Sequence, residues 1–165
     1  MSFSLIPNYS FGKITDISPA FIKELGVRFL MLDLDNTVAA YTEHAPSKDV
    51  VNWIGDMKAA GIELFIVSNS RRKWRVESFA KSLHLDFINY ACKPSPKALV
   101  NTMASASVGC EQSALIGDQI FTDTLAANLA EIFSILVKPK RCSNPALTLR
   151  FALELPFRAA CRNKK

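Results

Sequence analysis

The sequence predicts a single three-layer α/β domain of the Rossmann-like kind, in which a parallel sheet of five strands carries helices on both faces. Short apolar runs alternate with helix-length segments, each long enough for a crossover between parallel strands. The runs lack alternating polar residues, which is typical of strands buried on both faces. The 165 residues are 49% apolar and 21% charged, which fits one domain with a sizeable core. We therefore predict one domain over residues 1–165, with a core at about 27–137 and a basic tail at about 138–165.

Local signals predict each element in chain order. Residues 1–26 are expected to form an irregular or partly helical lead-in, in which Ser18-Pro19 begins a short helix that ends at Gly26. The predicted strands span residues 27–34, 62–67, 86–89, 113–116 and 132–137. The predicted helices lie between them, at about 46–61, 72–83, 94–105 and 120–129.

Acidic residues stand at the ends of two predicted strands. Sheets of this kind bind ligands beyond the carboxyl ends of their strands, near the point where the strand order reverses. The first predicted strand ends in Asp33 and Asp35, and the fourth is followed by Asp118, with Asp123 one turn later. If these strands are neighbours, the four carboxylates converge, and their repulsion calls for a hard cation such as Mg²⁺. Each acid taken by itself is equally compatible with a turn or a helix start.

Polar groups also follow the second and third predicted strands. Ser68 and Asn69 come directly after the second strand, and Lys93 follows the third. A single lysine before a helix is usually an ordinary surface residue. A preference for turn-forming residues explains poorly why polar groups suited to catalysis follow four successive apolar strands. The four strand ends together therefore favour a functional site.

These four segments resemble the signature motifs of haloacid dehalogenase-type phosphatases, and they occur in that family's order. The segments are Asp33-Leu34-Asp35-Asn36-Thr37, Ser68-Asn69, Lys93-Pro94 and Gly117-Asp118 with Asp123. One short acidic motif would be weak evidence, but four in order are specific. The resemblance covers about residues 27–137. Residues 33–37, 66–70 and 116–123 are similar in particular to the capless YqeG-type phosphatases of subfamily IIIA, a group that includes phosphatidylglycerophosphate phosphatases.

The resemblance implies a role for each acidic residue. Asp33 is expected to be the nucleophile that forms an aspartyl-phosphate, and Asp35 the general acid and base. The carboxylates of Asp33 and Asp118 and the backbone carbonyl of Asp35 are expected to bind Mg²⁺. Asp123 is expected to reach the metal through water or to orient Lys93.

The same resemblance implies how the phosphate is held. Ser68 and the backbone amide of Asn69 are expected to hydrogen bond with phosphate oxygens. Lys93 is expected to offset negative charge on the phosphate and on Asp33, which makes it both a catalytic and a phosphate-binding residue. The implied activity is the Mg²⁺-dependent hydrolysis of a phosphomonoester.

The spacing of the motifs leaves no room for an inserted cap domain, so the site is expected to be open. Basic clusters at residues 71–75 and 138–141 follow predicted strands on the same edge, although such clusters are usually solvated surface charge. An anionic phospholipid would be attracted there. We therefore predict dephosphorylation of phosphatidylglycerophosphate to phosphatidylglycerol by a cytoplasmic protein that contacts the inner face of the membrane peripherally. A soluble phosphomonoester, such as a nucleotide or phosphosugar, or a phosphoprotein is the alternative substrate.

The tail from residue 138 carries eight Lys or Arg residues and one acid, Glu154. Its mixture of apolar and basic residues fits either docking on the core or an interfacial helix, and Pro156 is expected to break or kink that helix. The net charge of +5 also allows a non-catalytic RNA- or ribosome-binding protein, although the sequence has no aromatic-basic stacking motif. The four cysteines are predicted to be reduced thiols, and the first residues do not resemble a secretory signal.

Overall fold

The computed structural model describes residues 3–140 and 145–161 and contains a six-stranded parallel sheet. In chain order the strands are β1 Tyr9–Phe11, β2 Phe29–Leu32, β3 Glu63–Val67, β4 Asp86–Ile88, β5 Ser113–Gly117 and β6 Phe133–Val137. They lie side by side in the order β1-β6-β5-β2-β3-β4. The helices are α1 Pro19–Glu24, α2 Lys48–Ala59, α3 Lys73–Leu83, α4 Lys97–Ser105, α5 Leu125–Leu129 and α6 Pro145–Ala160. The predicted α/β fold with a parallel sheet is confirmed.

Helices cover both faces of the sheet. Residues of α1, α2 and α3 pack on one face, and residues of α4 and α5 pack on the other. The central strand β2 serves both cores, because Leu30 and Leu32 belong to the first and Phe29 and Met31 to the second. All four side chains are fully buried, which explains why this strand reads as a continuous apolar run.

The direction of sheet growth reverses at β2. The chain first extends from β2 to β3 and β4, and it then returns to place β5 and β6 on the other side of β2. Leu32 is in register with Ile66 of β3 and with Ile116 of β5, so the loops after these three strands leave the sheet at the same level. The strands that precede Asp33 and Asp118 are therefore neighbours, which is the condition under which the four carboxylates are expected to converge.

The predicted count of five strands is wrong by one, because the lead-in contains β1. This strand pairs with the last strand, with Phe11 opposite Val137. The Phe11 side chain is buried, and its ring lies 5.1 Å from the ring of Phe21 in α1. Three residues are too few to show a periodic pattern, so this strand depends on distant partners that local signals do not reveal. The predicted boundaries of the core and the tail stay predictions.

The last helix, α6, continues past Pro156, so this residue does not break the helix, and the alternative of a kink stays a prediction. Glu154 and Arg158 stand on either side of the proline and bind the domain, and the ring of Phe157 packs edge-on against Phe121 at 5.9 Å. These contacts offset the backbone hydrogen bond that a proline removes. Within the described ranges, no helix is long and apolar enough to span a bilayer.

Replacing Phe11 by alanine tests the packing of β1. The ring is buried against Phe21, so its loss is expected to lower the free energy of unfolding by about 3 kcal/mol. Urea denaturation followed by circular dichroism measures the change. Phe3→Ala is the matched control, because Phe3 is 72% exposed and its removal is expected to cost no more than about 0.5 kcal/mol. Equal effects of the two substitutions would contradict a buried first strand.

Candidate active site

The structure brings all seven predicted site residues together at the carboxyl edge of the sheet. A cavity of about 240 Å³ lies between the loops that follow the central strands. Its lining residues are Asp33, Asp35, Tyr41, Ser68, Asn69, Ser70, Lys93, Gln119, Thr122, Asp123 and Arg150. Asp118 is buried beside this cavity, where one of its carboxylate oxygens lies within 4.8 Å of oxygens of Asp33 and Asp123.

Lys93 occupies the centre of the site. Its ammonium group is buried, and Nζ lies 2.7 Å from Asp33 Oδ1 and 2.8 Å from Asp123 Oδ1. It also donates to the backbone carbonyl of Val67 at 2.7 Å. Burial lowers the pKa of Lys93, but the two carboxylates outweigh burial and raise the pKa above its usual value. The lysine is therefore a fixed positive charge between two carboxylates.

Asn69 holds the loop that presents Lys93. Its side-chain amide donates to the carbonyl of Lys93 at 2.8 Å, and its Oδ1 accepts from the backbone N–H of Lys93 at the same distance. Ser68 is buried at the end of β3, and its hydroxyl accepts from the backbone N–H of Ser70 at 3.1 Å. The Asn69 side chain thus positions Lys93, whereas the sequence predicts only that the backbone amide of Asn69 contacts phosphate.

The carboxylates repel one another in a buried setting. Burial, with Asp123 and Asp35 adding to it and Lys93 opposing it, raises the pKa of Asp33 from 3.8 to about 7. Burial and the charges of Asp33 and Asp123 also raise the pKa of Asp118 well above its usual value. One lysine therefore does not balance the cluster.

A hard divalent cation fits this cluster. Asp33, Asp118 and Asp123 each offer a carboxylate oxygen, and the three oxygens lie within 4.8 Å of one another. Oxygen donors of this kind suit Mg²⁺ and similar ions. A bound cation would lower the pKa values that burial and repulsion raise, so the donor set and its electrostatics agree.

The loop after β5 needs a residue without a side chain. A Cβ added at Gly117 would collide with the side chain of Asp123. Asp123 in turn accepts from the backbone N–H of Gln119 at 3.1 Å, which closes the loop. The Thr37 hydroxyl lies 3.5 Å from Asp118 Oδ1, at the outer limit of a hydrogen bond. These contacts fix the acidic residues on two neighbouring strand ends.

Arg75 pairs with Asp35. Its Nε lies 3.0 Å from Asp35 Oδ1, and the same guanidinium donates to the backbone carbonyls of Ala40 and Glu43. The side chain is buried inside the protein, which removes it from the predicted basic surface cluster at residues 71–75. Arg75 lies one turn before Phe79 on the buried face of α3. This helical spacing indicates burial, but the neighbouring basic residues make Arg75 look like part of a surface cluster.

The tail helix α6 binds the loop that carries Asp118. The buried Glu154 carboxylate accepts from the backbone N–H of Ile120 at 2.9 Å and pairs with Arg158 Nη2 at 2.8 Å. Arg158 also donates to the backbone carbonyls of Asp118 and Val137. These two residues were not predicted as part of the site, although Glu154 is the single acid in a basic tail. Arg141, from the second predicted basic cluster, lies outside the described residues.

Two further cavity residues, Tyr41 and Arg150, were also missed. Burial, together with the nearby carboxylates of Asp35 and Asp33, raises the pKa of Tyr41 to about 12, so its hydroxyl stays protonated at neutral pH. Arg150 projects from α6 and lies 3.5 Å from Glu154 Oε1. No sequence motif marks either residue, because each reaches the cavity through tertiary structure.

Comparison with known proteins identifies the class that the fold and the site define. A model of haloacid dehalogenase-like hydrolases matches residues 12–131, and the chain belongs to this family. Over 143 residues the chain is 33% identical to the probable phosphatase YqeG of Bacillus subtilis strain 168, which covers 87% of this chain and 83% of that protein. The predicted resemblance to YqeG-type phosphatases is confirmed, and the chain is a phosphatase of this family.

Solved structures share the fold at low sequence identity. The cobalt-bound deoxy-D-mannose-octulosonate 8-phosphate phosphatase of Haemophilus influenzae superposes with a TM-score of 0.54 at 16% identity, over 84% of this chain and 93% of that one. A second structure is the 3-deoxy-D-manno-octulosonate 8-phosphate phosphatase of Moraxella catarrhalis in complex with magnesium, phosphate and a KDO molecule. It superposes with a TM-score of 0.53 at 18% identity, over 85% of this chain and 93% of that one. The roles of individual residues stay predictions.

Metal-free protein is expected to lose stability as the pH rises from about 4 to about 7. The raised pKa of Asp33 means that the folded protein binds this proton more tightly than the unfolded chain does. The free energy of unfolding therefore falls with pH in that window, by at most about 1.4 kcal/mol per pH unit for one group. Urea denaturation in EDTA measures it, with Asp33→Asn as the control that should show a flatter profile. Parallel profiles for the two proteins would contradict the raised pKa.

Replacing Glu154 by alanine is expected to loosen the Asp118 loop. The substitution removes the carboxylate that accepts from the Ile120 N–H and pairs with Arg158, which is expected to cost about 1–3 kcal/mol of unfolding free energy. Weaker Mg²⁺ binding is expected as well and can be measured by titration calorimetry. Glu24→Ala, an exposed site on α1, is the matched control. Unchanged Mg²⁺ affinity in a destabilised Glu154→Ala protein would separate this contact from the metal site.

Proposed function

We propose that this phosphatase hydrolyses phosphomonoesters with Mg²⁺ and Asp33 as nucleophile, and that its substrate is phosphatidylglycerophosphate, which it converts to phosphatidylglycerol. One observation carries the proposed chemistry. The Asp33 carboxylate lines the cavity and is fixed 2.7 Å from the Lys93 ammonium group, in a cluster of acids that calls for a cation. A carboxylate that is held beside a cavity, and that a bound cation would keep ionised, is suited to nucleophilic attack.

The metal site of this proposal uses Asp33, Asp118 and the backbone carbonyl of Asp35. Bound Mg²⁺ would supply positive charge that keeps Asp33 ionised and draws electron density from the phosphoryl group. Asp123 holds Lys93 at 2.8 Å in this arrangement. The magnesium-bound Moraxella catarrhalis phosphatase has the same fold, which supports the choice of ion.

In the first step, an oxygen of Asp33 attacks the phosphorus of the ester and the bond to the leaving oxygen breaks. Asp35 lines the cavity and gives its proton to that oxygen, so that an alcohol departs instead of an alkoxide. Ser68 and the backbone N–H of Asn69 hold the phosphoryl oxygens, and Lys93 offsets their charge. The product is an aspartyl-phosphate on Asp33.

In the second step, water attacks the phosphorus of the aspartyl-phosphate and Asp35 accepts the proton that the water loses. The bond from phosphorus to Asp33 breaks, which releases inorganic phosphate and restores the carboxylate. Arg75 holds Asp35 Oδ1 at 3.0 Å throughout, which leaves the second oxygen of Asp35 for both proton transfers. Arg75 therefore acts as a positioning residue and does not bind substrate.

The surface of α6 supports a lipid substrate at a membrane. The seven exposed residues of this helix beyond Thr148 are all apolar, namely Leu149, Ala152, Leu153, Leu155, Pro156, Ala159 and Ala160. Arg150 of the same helix lines the cavity, so the apolar face and the catalytic residues are close neighbours. An apolar helix face on a chain with a net charge of +5 suits the surface of an anionic bilayer. We place this contact at the cytoplasmic face of the membrane.

A soluble phosphomonoester is the second candidate substrate. The solved structures that share this fold include phosphatases named for a soluble sugar-acid phosphate. The cavity of about 240 Å³ accommodates the phosphate end of either kind of molecule. The basic charge of the chain is compatible with RNA, but the sequence has no aromatic-basic stacking motif, so nucleic acid is not the proposed partner.

Phosphate release distinguishes these substrates. Wild-type protein is expected to release phosphate from phosphatidylglycerophosphate in anionic vesicles with Mg²⁺ and to lose this activity in EDTA. Asp33→Asn is expected to lower kcat by at least about a thousandfold, because it removes the nucleophile. Asp56→Asn, an exposed site on α2, is the control and is expected to retain activity. Sugar phosphates, nucleotides and a phosphopeptide are assayed in parallel.

The outcomes separate the chemistry from the substrate. Higher kcat/KM for the lipid than for every soluble ester supports both parts of the proposal. Release from soluble esters alone, abolished by Asp33→Asn, would retain the nucleophile and reject the lipid. Activity that survives Asp33→Asn would reject the mechanism.

A further inference from the structure

We infer that Arg150 binds a second anionic group of the substrate, a phosphate, phosphodiester or carboxylate that lies beyond the phosphoryl group that is cleaved. The inference rests on the proposed function, because it assigns the part of the substrate that the catalytic residues do not contact. Arg150 belongs to the tail helix α6 and lines the same cavity as Asp33. It would make this helix the element that selects the substrate.

Arg150 is one of two cations that line the cavity in the described part of the chain, and the other is already neutralised. Lys93 lies between Asp33 and Asp123, at 2.7 and 2.8 Å. Arg75, which is buried nearby, is paired with Asp35 at 3.0 Å. Neither of these cations is available for a second charge on the substrate.

The Arg150 guanidinium is only partly compensated by its neighbour. Its Nε lies 3.5 Å from Glu154 Oε1, within ion-pair range, yet this buried nitrogen makes no hydrogen bond with the described residues. Glu154 is already engaged, because Oε1 accepts from Ile120 N–H at 2.9 Å and Oε2 pairs with Arg158 at 2.8 Å. Glu154 therefore orients Arg150 without saturating it.

The shape of the guanidinium fits an oxyanion. Arginine presents five N–H donors in a planar fork, which binds phosphate and carboxylate groups through paired hydrogen bonds. The Arg150 side chain is 31% exposed, so it is open to a ligand while its Nε is buried. Tyr41 lines the same cavity, and its hydroxyl, which stays protonated at neutral pH, is a neutral donor. A phosphomonoester without a second anion would leave these donors unused.

The first test is equilibrium binding, which does not depend on turnover. Propane-1,3-diphosphonate carries two anionic groups at the spacing of a glycerol with two phosphates, and propylphosphonate carries one. With saturating Mg²⁺, wild-type protein is expected to bind the diphosphonate at least about tenfold more tightly, as measured by calorimetry. Arg150→Gln is expected to remove this preference, and Arg150→Lys to retain part of it because the charge remains without the fork.

Arg72→Gln is the matched control, since Arg72 is an exposed arginine near the same sheet edge. Loss of the preference in Arg72→Gln as well would show an effect of overall charge and overturn the inference. An undiminished preference in Arg150→Gln would overturn it too. Equal loss of affinity for both phosphonates in Arg150→Gln would indicate a structural role and would also contradict it.

Turnover then separates this inference from the proposed function. Arg150→Gln is expected to lower kcat/KM at least about tenfold for glycerol 1,3-bisphosphate and for dihexanoyl phosphatidylglycerophosphate. For phenyl phosphate, which has no second anion, the same substitution is expected to change kcat/KM less than about twofold. An effect on the lipid alone would assign Arg150 to the phosphodiester, and an effect on both to any second anion. Wild-type protein that cleaves none of these esters but shows the diphosphonate preference would reject the proposed hydrolysis and retain the anion site.

Discussion

The burial of three carboxylates within 4.8 Å of one another is the constraint on which the rest of this structure depends. The sheet creates it, because the reversal of strand order places the end of β2 beside the end of β5. Gly117 permits it, since any larger residue would collide with Asp123. Lys93 relieves it in part, and the Asn69 amide holds the loop that presents this lysine. The acidic cluster therefore explains the small residue at Gly117, the buried lysine and the amide that holds its loop.

The tail of the chain forms part of the wall of the cavity that holds the candidate site. Helix α2 connects β2 to β3 and helix α3 connects β3 to β4, so no inserted domain covers the candidate site in the described residues. Helix α6 instead returns to this edge, where Glu154 and Arg158 bind the backbone around Asp118. One wall of the cavity therefore comes from the last helix, whose sequence carries no catalytic motif. Under the proposed function, substitutions along this helix would change substrate preference and leave the proposed catalytic residues in place.

Much of the fold and the positions of the candidate site residues could be predicted because both are encoded locally. The central strands are continuous apolar runs, and the functional groups follow them directly, as with Asp33 after β2. The features that could not be predicted from the sequence depend on tertiary contacts. The strand Tyr9–Phe11 depends on a partner more than a hundred residues away, and Arg75 looks like surface charge until Asp35 and two carbonyls surround it. Glu154 acquires its role only when a distant helix docks.

The two sides of α6 link the proposed chemistry to the proposed location. Arg150, Glu154 and Arg158 recur at intervals of four residues, which places them on one side of the helix, and the exposed apolar residues occupy the other. A bilayer in contact with the apolar side would therefore lie one helix diameter, about 10 Å, from the cavity wall. A lipid headgroup would have to extend at least about that far to enter the cavity. An amphipathic helix of this kind would thus hold the membrane at a fixed distance from the cavity. The same few turns would bind the anionic headgroup through Arg150.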